Sequence, residues 1–167
     1  MWSLRNSKHL AESIPSPAEF SSSFLDNFRV NDLSTLLAMT MKLFGRILLA
    51  FSAIVLAIGA WIHTAGFDRM SAGVAKSDLN PFLGRGLKVF WLQDSTIAIV
   101  LSIVFAFVAI RPAAATKPLI FLLALVPVIT AALTYYFIGN FFGGHIFLAA
   151  GVAAILGRLL YPAANRP

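Results

Sequence analysis

Three side chains in this sequence have the chemistry to move a proton or hold a polar ligand in an otherwise apolar setting: His63, Asp94 and His145. Each stands at helical spacing from a small residue. His63 follows Ala60 by three positions, Asp94 precedes Ala98 by four, and His145 precedes Ala149 by four, so each extends a row of side chains along one helix face. Gln93, Thr134, Tyr135 and Asn140 fall at a similar depth. The expectation is a polar pocket between helices beneath the outer interface, lined by His63, Asp94, His145, Gln93, Tyr135 and Asn140, that relays protons or holds a small ligand.

Asp94 is the only acid within or beside a strongly apolar run, and a carboxylate in that position is costly enough to mark function. The competing reading is an interfacial Asp, one turn from Trp91, that stays solvated or caps a turn. His63 and His145 on separate helices also make a haem iron or a metal ion an alternative, since neutral imidazole is the common nitrogen ligand. Asp94 is then the sole acidic third ligand. No HExxH, GxSxG or P-loop occurs, and Gly84-Arg85-Gly86 lacks the lysine and spacing of a phosphate cradle. With no Cys in the chain, thiol redox chemistry, disulfides, thiolate metal sites and a cysteine nucleophile drop out as well. No cofactor is predicted, and the balance leans away from an enzyme.

The elements that position these groups follow from composition. Of 167 residues, 59% are hydrophobic and 12% charged, more apolar surface than one small core encloses, so the surplus must face lipid. The spacing predicts an all-α, polytopic membrane protein with spans at about 43–63, 91–110, 119–138 and 145–160. Leu43 to His63 is apolar apart from Arg46 and ends near Trp61, an interface anchor, with Gly66 expected as a left-handed stop. Asn80-Pro81 reads as an N-cap followed by proline at the first helical position, opening an interfacial helix in which Arg85 and Lys88 reach headgroups before the second span. Arg111-Pro112 ends that span. No residue from Pro118 to Gly157 is charged, a stretch about twice one span, so Gly139-Asn140 and Gly143-Gly144 must turn it into a hairpin. Pro127 is expected to disturb the third span, with Thr130 and Thr134 at hand for local hydrogen bonds.

Residues 1–40 form a separate, flexible or interfacial tail in this reading, with a short amphipathic helix at 24–37. Met39 and Met41 offer an alternative start. A second alternative makes Lys42 and Arg46 the basic end of a signal peptide cleaved near Ala57 to Ala60. His9, in the tail, is given no role.

The net charge is +6, but residues 1–40 hold three cations against four acids, so the excess belongs to the apolar body. Its cations flank apolar runs rather than clustering on a polar face, which argues for membrane orientation and against nucleic acid. Lys42, Arg46, Arg111, Lys117, Arg158 and Arg166 fall on one side, against Arg69, Lys76, Arg85 and Lys88 on the other. Both termini are therefore expected in the cytoplasm, with the chain in a bacterial inner membrane. Because helices in lipid associate through close backbone approach and interhelical hydrogen bonds, stripes of small residues mark the contact faces. Ala53, Ala57 and Ala60 mark the first span, Ala98 and Ser102 the second, and Ala149, Ala153 and Gly157 the fourth.

The HTAGF segment at His63 to Phe67, the LKVFWLQDS junction at Leu87 to Ser95 and the Gly-Gly-His opening of the fourth span are similar to small four-helix bacterial inner-membrane proteins of uncharacterised function. The resemblance covers Leu43 to Pro162, is one of layout, and carries no catalytic residue across. It implies a four-helix bundle. The functional expectation is a non-enzymatic accessory or structural subunit of a larger membrane complex or homo-oligomer; the alternative is a ligand-, metal- or haem-binding protein using the pocket of His63, Asp94 and His145.

Overall fold

The structure, a computed structural model, describes residues 17–161, with side chains described from Leu33 onward. His9, Arg166 and most side chains of the expected 24–37 helix lie outside the described residues. Five α-helices carry the described chain: α1 (Pro17–Ala65), α2 (Phe67–Ala75), α3 (Pro81–Ile110), α4 (Lys117–Phe137) and α5 (Phe142–Leu160), with a 3-10 turn at Pro112–Ala114. Four helical segments are long and apolar enough to cross a membrane.

The chain divides into two compact units, Met1–Thr40 and Met41–Pro167. In the first, Leu33, Leu36, Leu37 and Met39 are exposed, and the Thr40 hydroxyl donates back to the Leu36 carbonyl at 2.9 Å. The second holds the membrane-like bundle. Its core is built from Leu49, Leu56, Phe105 and Ile120 among alanines, while a belt of Ile, Leu, Val and Phe faces outward. That inside-out abundance of apolar side chains fits lipid as the surrounding solvent.

Backbones approach most closely between α1 and α5. A Cβ on Gly45 would lie 2.6 Å from the Gly157 carbonyl oxygen, and one on Gly157 would lie 2.8 Å from that of Gly45. Serines lock the same faces. Ser52 donates to the Ala150 carbonyl at 2.8 Å across the α1–α5 contact, and Ser102 donates to the Ala53 carbonyl at 2.7 Å between α3 and α1. At one end Arg46 Nε donates to the carbonyl of Ala109 at 2.8 Å, in the last turn of α3, where helical carbonyls lack intrahelical donors. Arg158 is buried and serves another element, donating to the Ala115 carbonyl at 3.2 Å.

Of the expected contact residues, Ala53, Ala60, Ala98, Ala153 and Gly157 are buried and Ser102 is half-buried, whereas Ala57 and Ala149 are exposed. Helical phase explains both departures. At about 100° per residue the buried line of α1 centres on Leu49, Leu56 and Ala60, leaving Ala57 roughly 80° from Leu49. On α5 the centre is Ala154, and Ala149 stands about 140° away. Each step of four drifts about 40°, so one stripe holds both buried and exposed members.

Three turns also differ from expectation. Gly66 is right-handed (φ −76°), not a left-handed stop; α2 follows it immediately, and the absence of a Cβ there admits Trp91, whose ring would be 3.2 Å away. Asn80 caps α3 as expected, its side chain accepting from the Phe82 N–H, but the helix opened there runs unbroken to Ile110 instead of ending before the second span. The separate short helix between the spans is α2. Gly139, at φ +87°, makes the left-handed turn of the α4–α5 hairpin, while Gly143 and Gly144 belong to the first turn of α5. Gly144 is needed for proximity: a Cβ there would meet the Tyr135 ring at 2.9 Å.

Candidate functional site

At the end of the bundle opposite Arg46, the last turn of α1 meets α3. Trp91 Nε1 donates to the His63 carbonyl at 2.8 Å, satisfying a terminal carbonyl of α1, and its ring stacks on the His63 imidazole with centroids 4.0 Å apart and planes 13° from parallel. These two contacts fix the imidazole. Its Nδ1 lies 2.9 Å from Ser95 Oγ, and its Nε2 lies 3.8 Å from Asp94 Oδ2. The first distance is a hydrogen bond; the second is beyond hydrogen-bond length and makes a charge contact when the imidazole is protonated. Hydroxyl, imidazole and carboxylate thus stand in series, with Ser95 buried and both His63 and Asp94 half-buried.

This series forms one wall of a cavity of about 430 Å³. Gly59, Ala60, Ile62 and Ala98 continue that wall, Phe141, Phe142, Ile146 and Phe147 supply an apolar side from the start of α5, and Met70 and Arg69 enter from α2. The volume lies in the range of small-ligand sites, which are mostly apolar with a few convergent polar groups. No protein-family model, curated protein or solved structure matches the chain. The geometry of the cavity therefore stands on its own residues.

The structure brings His63 and Asp94 together and places His145 elsewhere. His145 Nδ1 lies 2.6 Å from Tyr135 Oη and its Nε2 lies 2.8 Å from Asn140 Oδ1, a cluster that braces the α4–α5 turn. Since the Asn140 oxygen can only accept, Nε2 carries the proton, and Nδ1 accepts from the Tyr135 hydroxyl. All hydrogen-bonding capacity of that imidazole is used. Thr134 donates to the Thr130 carbonyl at 2.8 Å, and Gln93 is exposed and absent from the cavity wall. Of the six residues expected in one pocket, His63 and Asp94 form one group, His145, Tyr135 and Asn140 form a second, and Gln93 belongs to neither. The reason is again phase: on α5, His145 stands about 180° from the buried Ala154.

The donor sets also bear on metal. Among the described residues, no three of His, Cys, Asp and Glu converge. His63 and Asp94 would supply two ligands, and the remaining groups at the cavity are a hydroxyl, an indole and Arg69. That set is short of the donors of a closed metal centre.

Ser95 is the polar member the sequence reading did not single out. Its signal was present, because Ser95, Ala98 and Ser102 continue one helical row on α3. Trp91, one turn from Asp94, is the ring on which His63 rests.

Proposed function

We propose that this chain is a membrane protein that binds a small amphipathic molecule in the cavity between α1, α2, α3 and the start of α5, without catalysing its conversion. The observation that carries the reading is the cavity itself: about 430 Å³, walled largely by apolar and aromatic side chains, with His63, Asp94 and Ser95 converging on one side. A chain end or ring suits the aromatic side and a polar head suits the His63–Asp94 side. The accessory-subunit reading drew on small-residue stripes, and those stripes are largely consumed inside the chain's own bundle. They give an outside partner no support.

The setting proposed with it is a bacterial inner membrane, with the Arg46 and Arg158 end of the bundle in the cytoplasm and the cavity near the outer interface. Support comes from the cations gathered at the Arg46 end and from α2, a short helix carrying Asp68 and Arg69 that suits an interfacial position. The direct experiment is to fill the cavity. Ile146→Trp adds bulk at its apolar side; retention of added lipid by the detergent-purified protein, read by native mass spectrometry, should fall while helicity by circular dichroism is unchanged. Unchanged lipid retention in the filled variant would overturn the binding reading.

A further inference from the structure

The cavity holds a second polar feature besides His63 and Asp94. Arg69, carried by α2, lines the same space as Asp94, carried by α3, so a cation and an anion border one cavity. They do not neutralise each other. Among the described residues the only ion pair is His63 with Asp94 at 3.8 Å, and Arg69 has no carboxylate within that reach. Apart from Ser95, the rest of the lining is largely apolar, with Phe141 and Phe142 exposed.

We infer that the occupant is a zwitterionic amphiphile, whose ammonium group faces Asp94 and whose phosphate or carboxylate faces Arg69. This deepens the proposed binding function and rests on it. A purely anionic amphiphile would bring a second negative charge beside a half-buried carboxylate. A purely cationic one would bring its charge beside Arg69. Either clash is unfavourable, whereas opposite charges on one headgroup satisfy both walls. Arg suits the anionic end because its planar fork binds phosphate or carboxylate bidentately. The aromatic side adds to the case: Trp91 and the phenylalanines of α5 line the same space, and aromatic rings attract an ammonium group and pack against chains.

The start of α5 contributes in the same direction. Its N-cap, Phe141, offers no side-chain acceptor to the first N–H groups, and Phe141, Phe142 and Gly143 all line the cavity. Unsatisfied donors at a helix N-terminus favour an acceptor nearby.

The test is competitive lipid retention by the full chain, delipidated in detergent and titrated with dioleoyl phosphatidylethanolamine, dioleoyl phosphatidylglycerol and oleylamine, with bound species read by native mass spectrometry. The expected result is at least a fivefold preference for the zwitterionic lipid over each of the other two. Asp94→Asn should abolish the preference over the anionic lipid, and Arg69→Gln should abolish the preference over the amine. Equal retention of all three by the parent protein, or a preference that neither charge variant moves, overturns the zwitterion assignment while the cavity reading stands. Retention that Ile146→Trp leaves unchanged removes the cavity reading as well.

Discussion

At the scale of single residues, the arrangement of His63 depends on two neighbours that do different things. Trp91 fixes the ring plane by stacking and holds the last turn of α1 through its indole N–H, while Ser95 fixes the ring's rotation through Nδ1. Ser95→Ala removes one buried hydrogen bond and should cost about 1 kcal/mol, lowering the melting temperature slightly. Trp91→Phe keeps an aromatic face but loses the donor, so the greater effect should appear as faster amide exchange at the end of α1 and the start of α2. Comparable exchange in the two variants would show that the indole N–H does not hold that turn. The residue scale is also where sequence reading succeeded and failed for identifiable reasons. Asp94 and His63 were legible because ionisable groups beside apolar runs are few. Ser95 was not, because a helix serine reads as packing or as a bond to its own backbone until the partner helix is placed. His145 was assigned to the pocket through Ala149, and both stand on the exposed face of α5.

At the scale of elements, the glycines separate two physical cases that a sequence presents identically. Gly45 and Gly157 face each other's backbone carbonyls at distances that no Cβ tolerates, so either substitution must part α1 from α5. Gly45→Ala or Gly157→Ala should cost about 1–3 kcal/mol, the usual penalty for overpacking, and should weaken the Ser52 hydrogen bond to Ala150 on the same interface. Gly73 is the control. It sits within α2 with nothing within 4 Å of an added Cβ, so Gly73→Ala should stabilise that helix by about 0.5–1 kcal/mol. Thermal unfolding in detergent measures all three, and a loss at Gly73 matching that at Gly45 would mean the effect is not steric. The four long apolar helices were readable from hydropathy because each is a sustained apolar run, and the α4–α5 hairpin because Gly139 interrupts an uncharged stretch about twice the length one span needs. Helix α2 was not readable: nine residues holding Asp68, Arg69 and Gly73 give little local reason for a helix, and it is secured by packing, where Val74 meets Gly84 of α3.

At the scale of the whole molecule, the distribution of charge makes a topological claim that the cysteine-free sequence is well suited to test. Arg46 bonds the end of α3 and Arg158 bonds Ala115 in the α3–α4 link, so these cations gather at one end of the bundle, where cytoplasmic retention of positive charge would hold them. The α4–α5 turn and the segment after α2 belong to the opposite end. Because the chain has no native thiol, single cysteines report cleanly. Ala113→Cys in the α3–α4 link, Lys76→Cys after α2 and Ile138→Cys at the α4–α5 turn are all exposed positions. In intact bacterial cells, a membrane-impermeant maleimide should label the Lys76 and Ile138 variants and leave the Ala113 variant unlabelled until the membrane is opened. Labelling of the Ala113 variant alone would invert the orientation and place the cavity toward the cytoplasm. Labelling of only one of the other two would break the four-span arrangement itself. The cavity's location follows from the same experiment, since His63, Trp91 and Phe141 lie at the end marked by Lys76 and Ile138. A headgroup reaching Arg69 and Asp94 would then be drawn from the outer leaflet, and lipid supplied to that side should be the lipid the cavity retains.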